Sequence, residues 1–465
     1  MHQLFDNMKL DIKELGYVKS VQLDLDKDLI ILCGPNNTGK TYVAYAIYGL
    51  MKFRSELPKS KKVAEEIKNL IEKGQTELDI IDLLTENNAS YLNAIGKSYV
   101  KQIPKVFASD EATFSKTEIK IELGELADLR AKILAEKISQ EIGIRNSISV
   151  KIVKEVNSST ISCLLIEKEN KDATNKHEIP TSILLDFIAD RIFNILIDFI
   201  FPKTYIAPAE RIAINIFSKE LSLKRNVLVD KLLELKDVGK DDDPFDLIKR
   251  RATRYPLPIR DSLETSEDLN NFKKNTSEFA HFADEIEREI LKGQVLISKE
   301  GEVQYKPDKA KSLKLPIHLT ASVVKSLSNL VIYFRHLATK ADFIIIDEPE
   351  LNLHPDNQVI IARIIAKIVN KGFKVLISTH SDYIIRELNN LIMLKSKPNF
   401  AKKYNYGEDT LLTHNKVGAI LFHYNTRKSV ALEVTETGFE VETIDNVINE
   451  LNERSQDLFF NTDPE

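Results

Sequence analysis

Cysteine is scarce in this sequence: among 465 residues only Cys33 and Cys163 are cysteines. Two thiols cannot build a disulfide framework, and Cys33 falls inside an apolar run that we predict to be a buried strand. Residues 1–6 also lack the charged and apolar regions of a secretory signal peptide. We therefore expect a protein of the reducing cytoplasm.

Long apolar runs without charge are absent too. The most apolar stretch, residues 183–201, carries an acid or amide at every fourth position: Asp186, Asp190, Asn194 and Asp198. This spacing places a polar stripe along one side of a helix, which indicates a mostly buried helix and not a membrane span. We expect no membrane association.

Neither sign of charge dominates. The chain has 65 Lys and Arg against 70 Asp and Glu, a formal net charge of −5, so no general basic field attracts it to nucleic acid. The best basic cluster is Lys249, Arg250 and Arg251 with Arg254 and Arg260, and a solvated helix face explains it better than a DNA contact. DNA binding is possible but not indicated. The metal-binding patterns Cys-x-x-Cys and His-Glu-x-x-His are missing as well.

The sequence does contain a phosphate-binding loop of the form Gly-x-x-x-x-Gly-Lys-Ser/Thr, made of Gly34, Pro35, Asn36, Asn37, Thr38, Gly39, Lys40 and Thr41. An apolar run precedes it and a helix-compatible stretch follows, which is the strand–loop–helix setting that the motif requires. Glycines let the backbone N–H groups turn inward toward an anion. We expect Lys40 to reach the terminal phosphates of ATP and the Thr41 hydroxyl to bind Mg²⁺. The alternative is a tight turn with a surface lysine.

A second motif lies far downstream, where four apolar residues, 343–346, precede Asp347 and Glu348. A buried strand would deliver both acids to its carboxyl edge, where ligands bind in open α/β sheets. We expect Asp347 to bind Mg²⁺ and Glu348 to orient or deprotonate the attacking water. His380 ends the next predicted strand and is expected to contact the γ-phosphate. A solvated acidic turn and a structural histidine are the alternatives.

The pattern of elements predicts an α/β fold with a mostly parallel sheet. Apolar strands at 343–346 and 373–377 alternate with helices at 321–339 and 356–370, which indicates a parallel sheet buried on both faces. Residues 59–103 and 222–292 are predicted to be mainly helical. Alternating patterns predict further strands at 10–13, 18–25, 118–123, 148–153, 160–166, 295–297, 302–305, 419–424 and 429–434, and residues 204–211 are predicted to be a short strand that runs into a loop.

A family resemblance follows from the residues around the second motif. Asp-Glu-Pro-Glu-Leu-Asn-Leu-His-Pro at 347–355, followed by Ser-Thr-His-Ser at 378–381, resembles ATP-binding-cassette (ABC) ATPases. More narrowly it resembles the branch shared by the overcoming-lysogenization-defect nucleases, RecF and the SMC-type repair ATPases. The resemblance implies a P-loop ATPase head in which residues 352–354 form the D-loop and His380 is the switch histidine. It also implies that two heads dimerise head-to-tail around two ATP molecules.

The same resemblance implies a signature segment at residues 320–326, which would contact the ATP of the other subunit. Ser322, Lys325 and the helix N-terminus are the expected phosphate contacts. The family usually has Ser-Gly-Gly where this chain has Ser322, Val323 and Val324, and the valines hinder the close backbone approach that glycines permit. An ordinary N-capped helix is the alternative.

The resemblance also divides the chain. It implies a core part at 1–58, a helical segment and antiparallel β subdomain at 59–220, a helical insertion at 221–300, a second core part at 301–398 and an α/β extension at 399–465.

Three functions are compatible with this head. Residues 205–211 are similar to a segment of defence-associated members such as the AriA and PtuA groups, which implies an ATPase subunit that controls a separate effector, for example a nuclease. Within the segment, Arg211 either faces the nucleotide or a partner, or pairs with an acid. A RecF- or SMC-like role in DNA repair is the alternative. A self-contained nuclease is disfavoured because residues 383–465 hold no Asp-x-Asp pair, and a long-armed SMC protein because prolines interrupt the insertion.

Overall fold

The structure is a computed structural model. It describes residues 8–53, 61–85, 88–123, 126–145, 148–167, 188, 192, 194–195, 201–217, 255–310 and 312–460. The predicted helix at 183–201 lies largely outside the described residues, although 188, 192, 194 and 195 are helical. The predicted helical region at 222–254, with most of the basic cluster, also lies outside them.

The described strands are labelled in chain order. They are β1 (Met8–Leu15), β2 (Val18–Asp24), β3 (Leu29–Cys33), β4 (Gln75–Asp79), β5 (Glu118–Leu123), β6 (Ile138–Arg145), β7 (Ile148–Lys154), β8 (Thr160–Glu167), β9 (Thr204–Ala207), β10 (Gly293–Ile297), β11 (Val303–Pro307), β12 (Leu315–Pro316), β13 (Phe343–Asp347), β14 (Lys374–Thr379), β15 (Val417–Phe422) and β16 (Ser429–Leu432).

The described α-helices are labelled in the same way. They are α1 (Lys40–Lys52), α2 (Lys61–Lys73), α3 (Ile80–Thr85), α4 (Asn88–Val100), α5 (Ile103–Phe107), α6 (Leu126–Ala135), α7 (Leu257–Glu267), α8 (Leu269–Phe272), α9 (Ala280–Ile286), α10 (Ser322–Ile332), α11 (Pro355–Asn370), α12 (Asp382–Lys395), α13 (Pro398–Lys403) and α14 (Glu442–Phe460). Residues 211–217 are helical as well. In the part of the chain that is described, no helix combines the length and apolar character needed to cross a membrane.

A six-stranded sheet forms the centre of the molecule, in the order β16-β15-β3-β14-β13-β9. Every neighbouring pair is parallel except β15 with β16. Alternate residues of β3 enter two different hydrophobic cores: Ile30 and Leu32 join one, while Leu29 and Ile31 join the other. A sheet covered on both faces explains why its strands are apolar throughout. The predicted α/β fold with a mostly parallel sheet is confirmed.

Three smaller antiparallel sheets surround the central one, in the orders β2-β1-β5, β4-β8-β7-β6 and β10-β11-β12. These sheets contain the strands that were predicted at 10–13, 18–25, 118–123, 148–153, 160–166, 295–297 and 302–305, and those predictions are confirmed. The prediction of a helical stretch throughout 59–103 is wrong at β4, where Leu78 pairs with Ile161 of β8. Gly74, at φ 73°, ends the preceding helix, and the buried Thr76 and Leu78 alternate with more exposed neighbours. Five residues are too short for alternation to outweigh the helical patterns on either side.

The C-terminal hairpin contributes to the central sheet. β15 and β16 pair as predicted, but β15 also runs parallel to β3, with Ala419 opposite Ile31. The strand that carries the phosphate loop is therefore flanked by β14 and β15, both from the last hundred residues of the chain. The proposed division of the chain into five segments stays a prediction.

Candidate nucleotide-binding site

The phosphate loop begins where β3 ends, and its two glycines hold conformations that other residues resist. Gly34 has φ 129° and Gly39 has φ 97°, both in the left-handed range. A Cβ atom on Gly39 would lie 2.2 Å from Cγ2 of Val18, and one on Gly34 would lie 2.6 Å from the carbonyl oxygen of Phe422. The loop is therefore restricted to glycine at both positions. Helix α1 starts directly after it, so its N-terminal N–H groups are available to an anion.

Lys40 lies inside this loop. Its ammonium group donates hydrogen bonds to the carbonyl oxygens of Gly34 at 2.9 Å and Pro35 at 2.8 Å. Burial lowers the pKa of Lys40, while the charges of Glu348 and Asp347 act in the opposite direction. A cation held at the mouth of a ring of N–H groups is suited to binding phosphate.

Asp347 meets the loop from the end of β13. Its Oδ1 accepts hydrogen bonds from Oγ1 of Thr41 at 3.3 Å and from Oγ of Ser378. Its Oδ2 is buried and has no hydrogen-bond partner among the described residues. Burial raises the pKa of Asp347 to about 6, although the two hydroxyl groups oppose the shift.

This arrangement fits Mg²⁺. An unsatisfied carboxylate oxygen beside a threonine hydroxyl offers hard oxygen ligands, and Mg²⁺ is usually held by one or two carboxylates together with phosphate and water oxygens. No group of three or more acidic, histidine or cysteine side chains could hold a metal in the described part of the chain. The residues present therefore fit a metal that arrives with a nucleotide.

Glu348 and His380 come together at the same edge of the sheet. Glu348 has φ 52°, and its N–H donates to the carbonyl oxygen of Ser378 at 3.0 Å. Nδ1 of His380 lies 3.8 Å from Oε1 of Glu348 and 3.4 Å from Oε1 of Glu350. The buried Glu350 also accepts hydrogen bonds from Thr379 and from the backbone N–H of His380, both at 2.8 Å. Glu350 thus fixes the position of the histidine.

The structure shows which groups Arg211 contacts. It is 2% exposed and bonds to backbone carbonyl oxygens, those of Asp347 at 2.7 Å, Glu348 at 2.6 Å and Pro208 at 3.0 Å. Its Nε donates to the carbonyl and hydroxyl oxygens of Ser326, each at 3.1 Å. Burial lowers its pKa, and the charge of Asp347 acts against that shift. Neither interpretation of Arg211, an acid pair or a nucleotide-facing group, describes this contact set. The guanidinium joins the end of β13 to helix α10.

Helix α10 begins at Ser322, which is exposed, and its N-cap is Ala321 without a side-chain hydrogen bond. Ser322 therefore does not act as the capping residue. Among the described residues, neither Ser322 nor Lys325 bonds to the phosphate loop through its side chain. The helix is instead tied to the site by Ser326, whose hydroxyl donates to the carbonyl oxygen of Leu351 at 3.1 Å. The structure thus brings the loop, Asp347, Glu348 and His380 together and leaves Ser322 on the surface.

Three residues of the site were not singled out from the sequence. Ser378 could have been found, because parallel pairing sets it opposite Asp347 at the strand end. Glu350 lies three positions after Asp347, and only the packing shows that it holds His380. Glu210 accepts a hydrogen bond from the Tyr45 hydroxyl at 2.7 Å and adds to the charge that raises the pKa of Asp347. Its only sequence signal was its position next to Arg211.

A strand, a glycine loop and a helix, with acids delivered to the same carboxyl edge, define a P-loop nucleotide-binding protein. The family described as AAA ATPase domain matches residues 8–385, so the chain belongs to that family. Nucleotide binding and ATP hydrolysis are the general activity of such a domain. No match was found among the curated proteins.

Several solved structures are similar to the chain. The Smc head domain of Pyrococcus furiosus, with an extended coiled coil and bound to the C-terminal domain of ScpA, is 13% identical, covers 96% of this chain and 98% of its own, and has a TM-score of 0.34. A SmcHead bound to the C-winged helix domain of ScpA is 12% identical at 92% and 98% coverage, with a TM-score of 0.35. The SMC head domain of Thermotoga maritima is 10% identical at the same coverages, with a TM-score of 0.29. TM-scores this low support no inference about function.

Proposed function

We propose that this chain hydrolyses ATP to ADP and phosphate with Mg²⁺, as an ABC-type head that works in a dimer or larger assembly. The resulting conformational change would control a separate effector protein in anti-phage defence. The observation that carries the proposal is the meeting of Lys40, Thr41 and Asp347, with one oxygen of Asp347 left unsatisfied.

The chain's own groups divide the work of phosphoryl transfer. The loop N–H groups and Lys40 bind the phosphates and oppose the charge that develops on them. Thr41 and Asp347 would hold Mg²⁺, which supplies further positive charge at the phosphate oxygens when it is bound. Glu348 orients the attacking water and accepts its proton, while His380 contacts the γ-phosphate.

Arg211 supports the idea of an assembly. The signature helix would meet the ATP of a second head through Ser322 and Lys325. Arg211 connects Ser326 of that helix with the carbonyl oxygen of Glu348. A shift of the helix on contact with the second head's nucleotide would therefore reach the peptide that carries the catalytic acid.

The effector role rests on other grounds. Residues 205–211 are similar to a segment of defence-associated ATPases, in which the ATPase controls a separate effector.

Replacing Glu348 by Gln tests the hydrolysis step. The variant should bind ATP normally and turn over about 10²–10³-fold more slowly, because the water loses its proton acceptor while the phosphate contacts remain. Turnover and ATP affinity are measured side by side with Glu436→Gln, an exposed control. Wild-type turnover in Glu348→Gln would refute the assigned role.

The stalled variant also tests the effector role. Tagged Glu348→Gln protein is purified from its native host, and the native mass of the complex is determined. A stoichiometric nuclease or other toxin supports control of an effector. No protein partner, together with ATP hydrolysis stimulated by added DNA, would favour a RecF- or SMC-like function in DNA repair.

A further inference from the structure

Two exposed features of opposite charge lie between residues 395 and 460. The first is helix α14, which we call the acidic helix. The second, which we call the basic aromatic patch, consists of Lys395, Lys397, Phe400, Lys402, Lys403 and Tyr404, all exposed. Neither takes part in the nucleotide site.

The acidic helix carries several highly exposed apolar side chains. Its 19 residues, about 28 Å in length, include no buried residue, and every residue from 451 to 460 is exposed. Leu458, Phe459 and Phe460 at its end are 70%, 77% and 78% exposed. Val447 and Leu451 are exposed on the same helix. Contiguous exposed apolar side chains of this size mark an interaction surface.

The basic aromatic patch offers the matching features. Between Glu387 and Glu408 the sequence has no acidic residue. Phe400 and Tyr404 are 51% and 56% exposed, and their rings stack with centroids 6.5 Å apart. Nζ of Lys403 lies 5.9 Å from one ring centroid and 5.2 Å from the other.

A groove of about 570 Å³ adjoins these rings, lined in part by Met393, Leu394 and Lys397. Arg363 also lines it, but Glu387 accepts a hydrogen bond from Arg363 at 2.5 Å. The lysines of the patch therefore supply the positive charge at the groove.

Charge indicates what the acidic helix docks on. Its charged residues are Glu442, Asp445, Glu450, Glu453 and Asp457 against a single base, Arg454. Arg454 is already paired with Glu450 at 3.0 Å. Two such helices side by side would bring like charges together, so pairing of the helix with its own copy is disfavoured. The patch combines four lysines with exposed aromatic rings, which fits an acidic, aromatic-tipped helix.

We propose that the acidic helix of one copy of this chain docks on the basic aromatic patch of a second copy. Leu458, Phe459 and Phe460 cover Phe400, Tyr404 and the groove, and Glu453 and Asp457 lie against Lys402 and Lys403. Residues 451–460 of the helix are all exposed, so its last turns are accessible to a neighbour. This contact uses no nucleotide, so it is separate from the head-to-tail dimer.

Two charge reversals test the docking in trans. One chain carries Lys402→Glu and Lys403→Glu, and the other carries Glu453→Lys and Asp457→Lys. Masses are measured by sedimentation without nucleotide over a range of concentrations. The wild type should self-associate, and each reversed chain alone should lose at least tenfold in affinity. An equimolar mixture of the two chains should associate again, because each acidic surface then meets a basic one.

The control Lys299→Glu/Lys371→Glu makes the same charge change at exposed positions elsewhere and should associate like the wild type. Wild-type protein that stays monomeric at every concentration would overturn the proposal. The proposal would also be overturned if the mixture of the two reversed chains failed to associate while a single chain with all four reversals associated like the wild type. That result would mean that the helix folds onto the patch of its own chain. Assembly that disappears on nuclease treatment would show a nucleic acid on the patch instead. ATP hydrolysis in the same samples reports separately on the proposed function.

Discussion

The buried carboxylate of Asp347 is suited to binding a cation, but it lowers the stability of the folded protein. Its carboxylate is fully buried, and Oδ2 has no hydrogen-bond partner among the described residues. Burial raises its pKa from 3.8 to about 6, so above that pH the folded protein holds a charge at a cost in free energy. Such a site is destabilising until a cation binds, which is typical of functional positions.

Replacing Asp347 by Asn should therefore stabilise the nucleotide-free protein while abolishing ATP hydrolysis. The folded wild type holds its proton more tightly than the unfolded chain, so its stability falls as pH rises from about 4 to about 6. Above pH 6 the variant should gain about 3 kcal/mol in free energy of unfolding, with less gain near pH 4.5. Urea denaturation in EDTA at several pH values measures this. A gain that is independent of pH would contradict the explanation.

A second prediction for a single residue concerns Arg211. Arg211→Met keeps the apolar stem but removes the guanidinium donor to the carbonyl oxygens of Asp347 and Glu348, of which Glu348 retains the Leu351 N–H at 3.1 Å, so it should lower the free energy of unfolding by about 3 kcal/mol. Turnover should fall as well, because the Glu348 peptide loses its support. Arg211→Lys keeps the charge but not the planar fork, and should lie between the two. Wild-type turnover in a folded Arg211→Met protein would refute the positioning role.

Among the elements, several with a local signal were predicted correctly, although strand β6, which pairs with the neighbouring β7, was not predicted. The phosphate loop, β13 with Asp347 and the hairpin β10–β11 each combine a sequence pattern with neighbours in the chain. Features that depend on contacts between distant parts of the chain became visible only in the structure. Strand β4 is recognised by its pairing with β8, and the position of β15 in the central sheet is recognised by its pairing with β3. The fivefold bonding of Arg211 could not be predicted for the same reason, since its acceptors come from three separate segments.

The phosphate loop itself depends on its contact with β2. Gly39→Ala should abolish ATP binding and destabilise the loop, because its Cβ would lie 2.2 Å from Val18 and φ 97° is strained for alanine. Adding Val18→Ala removes the clash but not the strain, so the double variant should recover stability more than affinity. Isothermal titration with ATP and thermal unfolding separate these effects. Full ATP affinity in Gly39→Ala would contradict the geometry.

For the whole molecule, one prediction concerns the proposed head-to-tail dimer. In the Glu348→Gln background, Mg²⁺ and ATP should add an ATP-dependent association that Ser322→Arg abolishes, because a large side chain would block the exposed helix N-terminus from a second head's phosphates. Light scattering with and without ATP gives the mass. Exposed Ser139→Arg, on strand β6, is the control. An ATP-dependent association that persists in Ser322→Arg would place the contact elsewhere.

The order of the central sheet also determines when the site can exist during synthesis. The strand that carries the phosphate loop lies between β14 and β15, and Thr41 and Asp347 are 306 residues apart. At about 5–20 residues per second, a ribosome needs roughly 15–60 s to pass from one to the other. A nascent chain therefore exposes the loop long before it has the carboxylate or the flanking strands. We therefore expect a product that is truncated before β15 to lack ATP hydrolysis, because the strand that carries the loop would then lack one of its two neighbours.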